Sequence, residues 1–325
     1  MLGGTVFVGR HIVEAALARG HEVTLFNRGR THRDLFEGVE ELRGDRERGD
    51  LAALEGRSWD AVVDTSGYVP RVVKASAQLL AGSVAHYTFV STGSVYADFS
   101  RPGIGEGSPV ATVDDETTED VGQHYGALKA LCERAAEAAL PGRVLSVRAG
   151  IIVGPHDPTG RFTYWVHRVA QGGEVLAPEP RDQRVQVIDA RDLAAWILDA
   201  AERGLAGVFN AAGPATPLTM ETLLEEIRAS SGSDSRLVWV GEDALLADGM
   251  EPARDLPLWV APGANPDVAH FFTLRVEKAR AAGLHHRPLA ETIADTLAGA
   301  ATVPGVGLNA RRERRLLDVA GGRAR

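Results

Sequence analysis

The segment His86-Tyr87-Thr88-Phe89-Val90-Ser91-Thr92-Gly93-Ser94-Val95-Tyr96, followed by Tyr125-Gly126-Ala127-Leu128-Lys129, decides how the rest of the chain is read. Its first half is an apolar run of strand length. It ends in hydroxyl side chains, Thr92 and Ser94, where open α/β sheets hold their ligands, at the carboxyl end of a strand. Its second half sets a phenol and an ammonium four residues apart, on one face of a helix. A cation that close favours phenolate, so the spacing predicts a Tyr125 pKa lowered towards neutrality, with Thr92 as its partner and Lys129 as the perturbing charge. The lysines are only Lys74, Lys129 and Lys278 and there are 5 tyrosines, so the pairing is uncommon by chance. An ordinary surface helix could carry the same two residues, and the flanking sequence has to decide.

Upstream, Met1-Leu2 runs into Gly3-Gly4-Thr5-Val6-Phe7-Val8-Gly9-Arg10, and Val13, Ala16 and Leu17 follow at helical spacing with Gly20 as a stop. A glycine-rich turn that opens a helix suits phosphate, because free N–H groups and the positive end of the helix dipole point at the anion. Its spacing differs from G-x-G-x-x-G. His21 to Asn27 reads as the next strand. Where a dinucleotide site usually carries an acid for the ribose 2′-hydroxyl stand Asn27 and Arg28, with Arg30 beyond. Guanidinium groups of Arg10 and Arg28 would chelate a 2′-phosphate, which favours NADP over NAD.

Strand and helix continue to alternate: Glu41 to Gly44, a helical piece near Leu51 to Leu54, Asp60 to Thr65, and a helix opened by Pro70 with Val72, Val73, Leu79 and Leu80 on one face. Asp45, after its strand, is placed to hold the adenine amine or to serve as a turn acid. Ser66-Gly67 would let backbone approach a cofactor. The pattern predicts a parallel, doubly wound α/β sheet of the Rossmann type. A loop from Asp98 to Asp120 carries the acids Asp114, Asp115, Glu116, Glu119 and Asp120, read as a solvated face and not as a metal site. A helix over 119–139 bears Tyr125 and Lys129, and Arg143 to Arg148 is a further strand. Beyond Gly154-Pro155 the regularity loosens. Tyr164 and Trp165 either stack on a flat substrate or close the core. Leu218 to Ile227 and Leu289 to Leu297 are amphipathic, and the tail holds Arg311, Arg312, Arg314, Arg315, Arg323 and Arg325, read as a docked or frayed helix.

With 325 residues, 44% of them hydrophobic, the chain can bury a substantial core, and a net charge of −9 argues against a polyanion-binding surface. No apolar run approaches the roughly 20 residues of a membrane span, and no secretory leader opens the chain, so a cytoplasmic protein with no nucleic-acid or membrane partner is expected. The single cysteine, Cys132, falls in a helical apolar pattern and reads as packed.

Taken together, the glycine turn, the strand-end Thr92, Tyr125-x-x-x-Lys129 and Arg148…Gly154-Pro155 resemble the extended short-chain dehydrogenase/reductases, the NAD-dependent epimerase/dehydratase group, over about residues 1 to 300. Gly-Gly-Thr-Val-Phe-Val-Gly is similar to the atypical branch with a G-G-x-x-x-x-G motif, which includes reductases, sugar-modifying enzymes and a chloroplast RNA-binding relative. The resemblance implies that Tyr125 is the catalytic acid/base, that Lys129 lowers its pKa and holds the nicotinamide ribose, and that Thr92 orients the reacting oxygen. It implies cofactor contacts at Gly3, Gly4, Thr5, Phe7, Val8, Gly9, Arg10, Asn27, Arg28, Asp45, Ser66, Gly67 and Lys129, and substrate contacts at Ser94, Tyr164 and Trp165.

Residues 1–152 with 184–212 are expected to form the dinucleotide-binding domain, and 153–183 with 213–325 a smaller substrate region. The activity implied is an NAD(P)-dependent oxidoreductase acting on a carbonyl or secondary alcohol of a small ring-containing metabolite. The alternatives are a sugar or sugar-nucleotide epimerase with tightly bound NAD, and, in another class, a nucleotide-binding RNA-binding or scaffold protein. A homodimer through the helices at Pro70 to Ala81 and 119–139 is compatible with the family. Three departures stand out. Only Met1-Leu2 occupy the place of the central first strand, which is expected to leave its neighbours short of backbone partners and suggests a start assigned too late or a trimmed chain. Ala149-Gly150-Ile151-Ile152 replaces the Asn that usually contacts a nucleotide-sugar phosphate. Gly93-Ser94 replaces the Asp-Glu of the 4,6-dehydratases.

Overall fold

A computed structural model describes residues 1–214 and 216–321. The parallel strands β1 (Thr24–Asn27), β2 (Glu40–Arg43), β3 (Trp59–Asp64), β4 (Val84–Thr92), β5 (Val144–Ala149) and β6 (Gly207–Ala211) form the central sheet. Leu2 supplies the link between its halves, bridging in parallel to Phe26 of β1 and Asp64 of β3. The order is therefore β2-β1-Leu2-β3-β4-β5-β6. The centre is not left without partners: Leu2 N–H donates to Val63 O at 2.9 Å, Gly3 N–H to Phe26 O at 2.9 Å, Phe26 N–H to Met1 O at 2.8 Å and Thr65 N–H to Leu2 O at 3.2 Å.

Helices cover both faces, as a parallel sheet requires. On one face α1 (Phe7–Ala18) and α5 (Ala190–Glu202) bury Ile12, Ala16, Leu193, Trp196 and Ile197 against Val63, Val90 and Val147. On the other, α2 (Pro70–Leu80) and α3 (Val121–Ala139) bury Val73, Ala77, Leu80, Cys132 and Ala136 against Phe26, Val62, Tyr87 and Phe89. Cys132 is packed as its pattern predicts, and burial pushes its thiol up to about 12.

The C-terminal region has its own core. Phe162, Trp165 and Val169 of α4 (Arg161–Ala170) meet Leu223, Leu224 and Ile227 of α6 (Met220–Ser231), with Trp259, Ile293 and Leu316 around them. Two elements with no distinct sequence signal, Glu174–Pro178 and Arg236–Val240, pair here as a parallel ladder. In place of the expected strand over 185–188, short strands Arg184–Val185 and Val187–Asp189 flank Gln186, whose side-chain amide bonds to Leu274. The expected helix over 51–54 is a single 3-10 turn, Ala52–Leu54.

The arginine-rich tail forms a docked helix over Ala310–Ala320, with Leu316 and Leu317 buried and Arg312 bound to Asp248 and Asp255. Arg323 and Arg325 lie outside the described residues. In the acidic loop, Glu119 pairs with Arg71, Glu116 with Arg134, and Asp120 caps α3 at Gln123 N–H. No helix among the described residues is long and apolar enough to cross a membrane.

Candidate active site

The carboxyl ends of the strands open into one cavity of about 630 Å³. Along one end lie Gly3, Gly4, Thr5, Phe7 and Val8, then Asn27, Arg28, Arg30, Asp45 and Ser66, and beyond them Thr92, Ser94 and Tyr125. The sequence thus scatters these residues over more than a third of the chain, and the parallel sheet gathers them.

The glycine turn is closely packed and left-handed. Gly3 and Gly4 have φ of 101° and 104°, and a Cβ on them would stand 2.7 Å from Thr65 Oγ1 and 2.8 Å from Leu25 Cδ2. Gly9 does not line the cavity; it lies behind the turn, where a Cβ would meet Gly4 backbone at 3.0 Å. Lined by Gly3 and Gly4 just ahead of α1, that cradle fits a dinucleotide pyrophosphate. Bound there, a nicotinamide dinucleotide supplies or accepts hydride.

Several expected contacts are placed elsewhere. Arg10 is turned along α1 to Glu14, at 2.7 Å, and does not reach the cavity. Gly67 packs inward: its Cβ would meet Val73 Cγ2 at 2.5 Å and Phe89 Cε2 at 2.7 Å, so the residue is glycine for want of room, not for a cofactor. Arg28 and Arg30 do line the cavity, Arg28 3.5 Å from Glu47 and Arg30 3.9 Å from Asp45. Asp45 uses Oδ1 to accept Glu47 N–H at 3.1 Å, capping the 3-10 turn Arg46–Arg48. Tyr164 and Trp165 are core residues, 8% and 0% exposed. Trp165 donates to Pro257 O, so neither can stack on a substrate in the cavity.

The largest correction concerns Lys129. It is 3% exposed and points into the core, where Nζ donates to Gly67 O and Val90 O, both at 2.8 Å, and sits 4.0 Å from the Phe89 ring centroid. Burial without a carboxylate partner lowers its pKa to about 8. The ammonium staples α3 to β4 and to the turn after β3, and it does not line the cavity. Correspondingly, the Tyr125 phenol is not made acidic. Partial burial raises its pKa above the ordinary 10.0, opposed by the Thr92 hydroxyl and by the charge of Arg161. A non-helical residue, His124 (φ −121°, ψ 24°), precedes Tyr125, and Tyr125 and Lys129 lie together on the regular helix after it.

The strand end itself is rigid. Thr92 Oγ1 accepts Ser94 N–H at 3.1 Å, and Gly126 rests on Ser94 so closely that a Cβ would lie 2.0 Å from Ser94 O. Beneath it, Arg148 forks onto Glu133, which also accepts from Ser91 Oγ at 2.6 Å, fixing α3 to β4 and β5. A second buried pair, Arg46 with Asp64, holds the cofactor-side turn: Arg46 donates to both Asp64 oxygens at 2.7 and 2.6 Å and to Ser66 Oγ at 2.9 Å.

On the far wall are groups that pattern alone did not identify: Arg161, Thr159, Gln186, Phe271, Phe272 and Leu274. Gln186 binds both backbone groups of Leu274 at 2.9 Å and so holds that segment over the site. The one usable signal was Asp157-Pro158-Thr159-Gly160, a turn that must set Arg161 at the mouth of the helix it opens.

A model of the family described as "NAD dependent epimerase/dehydratase family" matches residues 50–212. Among solved structures, the Bordetella bronchiseptica enzyme WbmG in complex with NAD and UDP is 17% identical with a TM-score of 0.66, covering 94% of each chain. The UDP-glucose 4-epimerase of Thermotoga maritima, with UDP-glucose, is 17% identical with a TM-score of 0.64, covering 91% of this chain and 96% of that one. Among curated proteins, chloroplast stem-loop binding protein of 41 kDa b from Arabidopsis thaliana is 23% identical over 233 residues. That match takes in 66% of this chain and 58% of the relative, so the chain spans less than two thirds of its length.

Proposed function

The chain belongs to the NAD dependent epimerase/dehydratase family, and from that premise we propose that it is an NAD(P)-dependent oxidoreductase acting on a carbonyl or secondary alcohol of a small ring-containing metabolite. The observation that carries this reading is that the glycine cradle and the Thr92–Tyr125 pair open into the same cavity. Thr92 receives the substrate oxygen, and Tyr125 gives it a proton in reduction or takes one in oxidation. The raised pKa keeps the phenol protonated at neutral pH, the form that carbonyl reduction requires, while making it a weaker donor. Phe271, Phe272 and Leu274 supply apolar wall against a ring and exclude water. In this reading residues 1–152 with 184–212 hold the nucleotide, and 153–183 with 213–325 the substrate.

Arg28 and Arg30 line the cavity beyond the end of β1, and although Glu47 and Asp45 lie beside them, their charge supports a preference for the 2′-phosphate of NADP. NADPH and NADH titrated separately against the purified protein test this. Tighter NADPH binding that is lost in Arg28→Ala/Arg30→Ala is expected, and equal or tighter NADH binding refutes the preference.

Sugar epimerisation with tightly bound NAD is the second reading, favoured by neighbours solved with NAD and with UDP-glucose. It predicts protein that purifies with nucleotide and turns over a sugar with no net change in nicotinamide absorbance. The stem-loop binding named for the Arabidopsis relative predicts something else, salt-sensitive RNA binding that survives Tyr125→Phe.

A further inference from the structure

Arg161 opens α4 and lines the cavity together with Tyr125. Its Nε donates to Thr159 Oγ1 at 3.2 Å, and among the described residues no carboxylate is within ion-pair distance of its guanidinium. Arg46, Arg148, Arg168 and Arg191, in contrast, each grip a carboxylate. The acid whose charge acts on it, Asp157, is only 5% exposed and is turned into its own loop, with Oδ1 accepting Thr159 N–H at 2.8 Å and Thr159 Oγ1–H at 2.7 Å. Its other oxygen, Oδ2, has no partner, and burial raises its pKa, which weakens it as a counter-charge. Arg161 is itself partly withdrawn from water, which costs free energy unless something compensates it.

We propose that Arg161 is an anion receptor for the substrate: it binds a carboxylate or phosphate carried by the ring and so fixes which oxygen of that ring meets Thr92 and Tyr125. This rests on reading the cavity as the cofactor-and-substrate site and narrows its substrate class to oxyanion-bearing rings. A guanidinium presents paired donors that match either oxyanion. Neutral rings of the same size would leave the cation unsatisfied. The other groups acting on the Tyr125 phenol are the hydrogen-bonding Thr92 hydroxyl, Tyr68 and Cys132, none of them cationic, so Arg161 is the one positive charge among them and, with Thr92, opposes the rise in its pKa.

The test uses protein loaded with NADP, or with NAD if that binds better, and three probes that differ in one group: glucose, glucuronate and glucose 6-phosphate. Calorimetry is expected to show at least one anionic probe binding tenfold or more tighter than glucose. The margin should fall below threefold in Arg161→Gln and be partly kept in Arg161→Lys, with nucleotide affinity unchanged. Which anionic arm wins separates carboxylate from phosphate. Independently, spectrophotometric titration of phenolate, with Tyr125→Phe to identify the signal, is expected to shift Tyr125 to higher pH in Arg161→Gln. Equal or undetectable binding of the three sugars, a preference that survives Arg161→Gln, or an unmoved Tyr125 titration overturns the proposal. Failure of the protein to bind either nucleotide refutes the underlying reading instead, so the two failures are distinguishable.

Discussion

Removing one member of the Arg46–Asp64 pair should both destabilise the protein and loosen its nucleotide site. Asp64 is 0% exposed and Arg46 8%. Besides the fork of two hydrogen bonds between them, Asp64 accepts from Tyr87 Oη at 2.9 Å and from Ser66 N–H at 3.0 Å, and Arg46 donates to Ser76 Oγ at 2.8 Å. Taking away one partner leaves the other charge buried and uncompensated, a loss of about 3–5 kcal/mol, whereas replacing both with apolar side chains of similar volume can be nearly neutral. Arg46→Met and Asp64→Leu are therefore each expected to lose about 3–5 kcal/mol, and the double variant less than either single change. Urea unfolding followed by tryptophan fluorescence and circular dichroism reads this directly.

The neighbouring Arg and the hydrogen bonds hold the Asp64 pKa below that of the unfolded chain, despite burial. Its stabilisation is therefore present above the unfolded carboxylate pKa and is lost as pH falls through the folded value, so the gap between wild type and Asp64→Leu should narrow in acid. Because Ser66 and Arg46 line the cavity, nucleotide affinity should fall in both single variants. Single losses under about 1 kcal/mol, or losses that simply add in the double variant, would refute this account of the pair.

Three further outcomes are expected. Gly126→Ala puts a methyl 2.0 Å from Ser94 O, and relieving that clash moves Tyr125 relative to Thr92 by about 1 Å, a displacement that costs about 10²-fold in turnover. Nucleotide affinity measured by fluorescence should stay within a few-fold. Carbonyl reduction needs the protonated phenol, and the Tyr125 pKa is raised above 10.0, so the rate should be flat through neutral pH and fall only as pH rises through that value. A limb centred near neutrality that Tyr125→Phe abolishes would contradict it. Lys129 has a folded pKa of about 8, below its unfolded value, so the unfolded state binds more protons above pH 8 and stability rises with pH there. Denaturation curves of Lys129→Met should lack that rise.

The alternation of strand and helix was legible because each βα unit carries its own punctuation: the glycine turn before α1, Pro70 at the start of α2, and the apolar run of β4. The strand-end positions Thr92 and Ser94 followed from topology alone. Side-chain direction did not. Gly67 and Gly126 look alike as permissive turn and helix residues, yet each is glycine because a neighbour presses on it, Val73 and Phe89 in one case and Ser94 O in the other. Tyr164 and Trp165 lie on a helix whose inner face is set by α6, and no local pattern states which way that face points.

Lys129 shows where periodicity stops being sufficient. Four-residue spacing places Tyr125 and Lys129 one turn apart on regular helix, but it does not say where a long side chain ends. The phenol then sits 37% exposed at the cavity while the ammonium is drawn to two main-chain oxygens below. With that cation engaged in joining β4 to α3, the positive charge that reaches Tyr125 comes from Arg161, which enters from the C-terminal region more than thirty residues later. A charge supplied by the substrate wall can bind substrate and act on the phenol together, a coupling that a lysine on the same helix as the tyrosine would not provide. Burial and the Thr92 hydroxyl act most on the Tyr125 phenol, and Arg161 adds a charge from across the cavity, so the phenol's acidity should respond to whatever anion Arg161 holds.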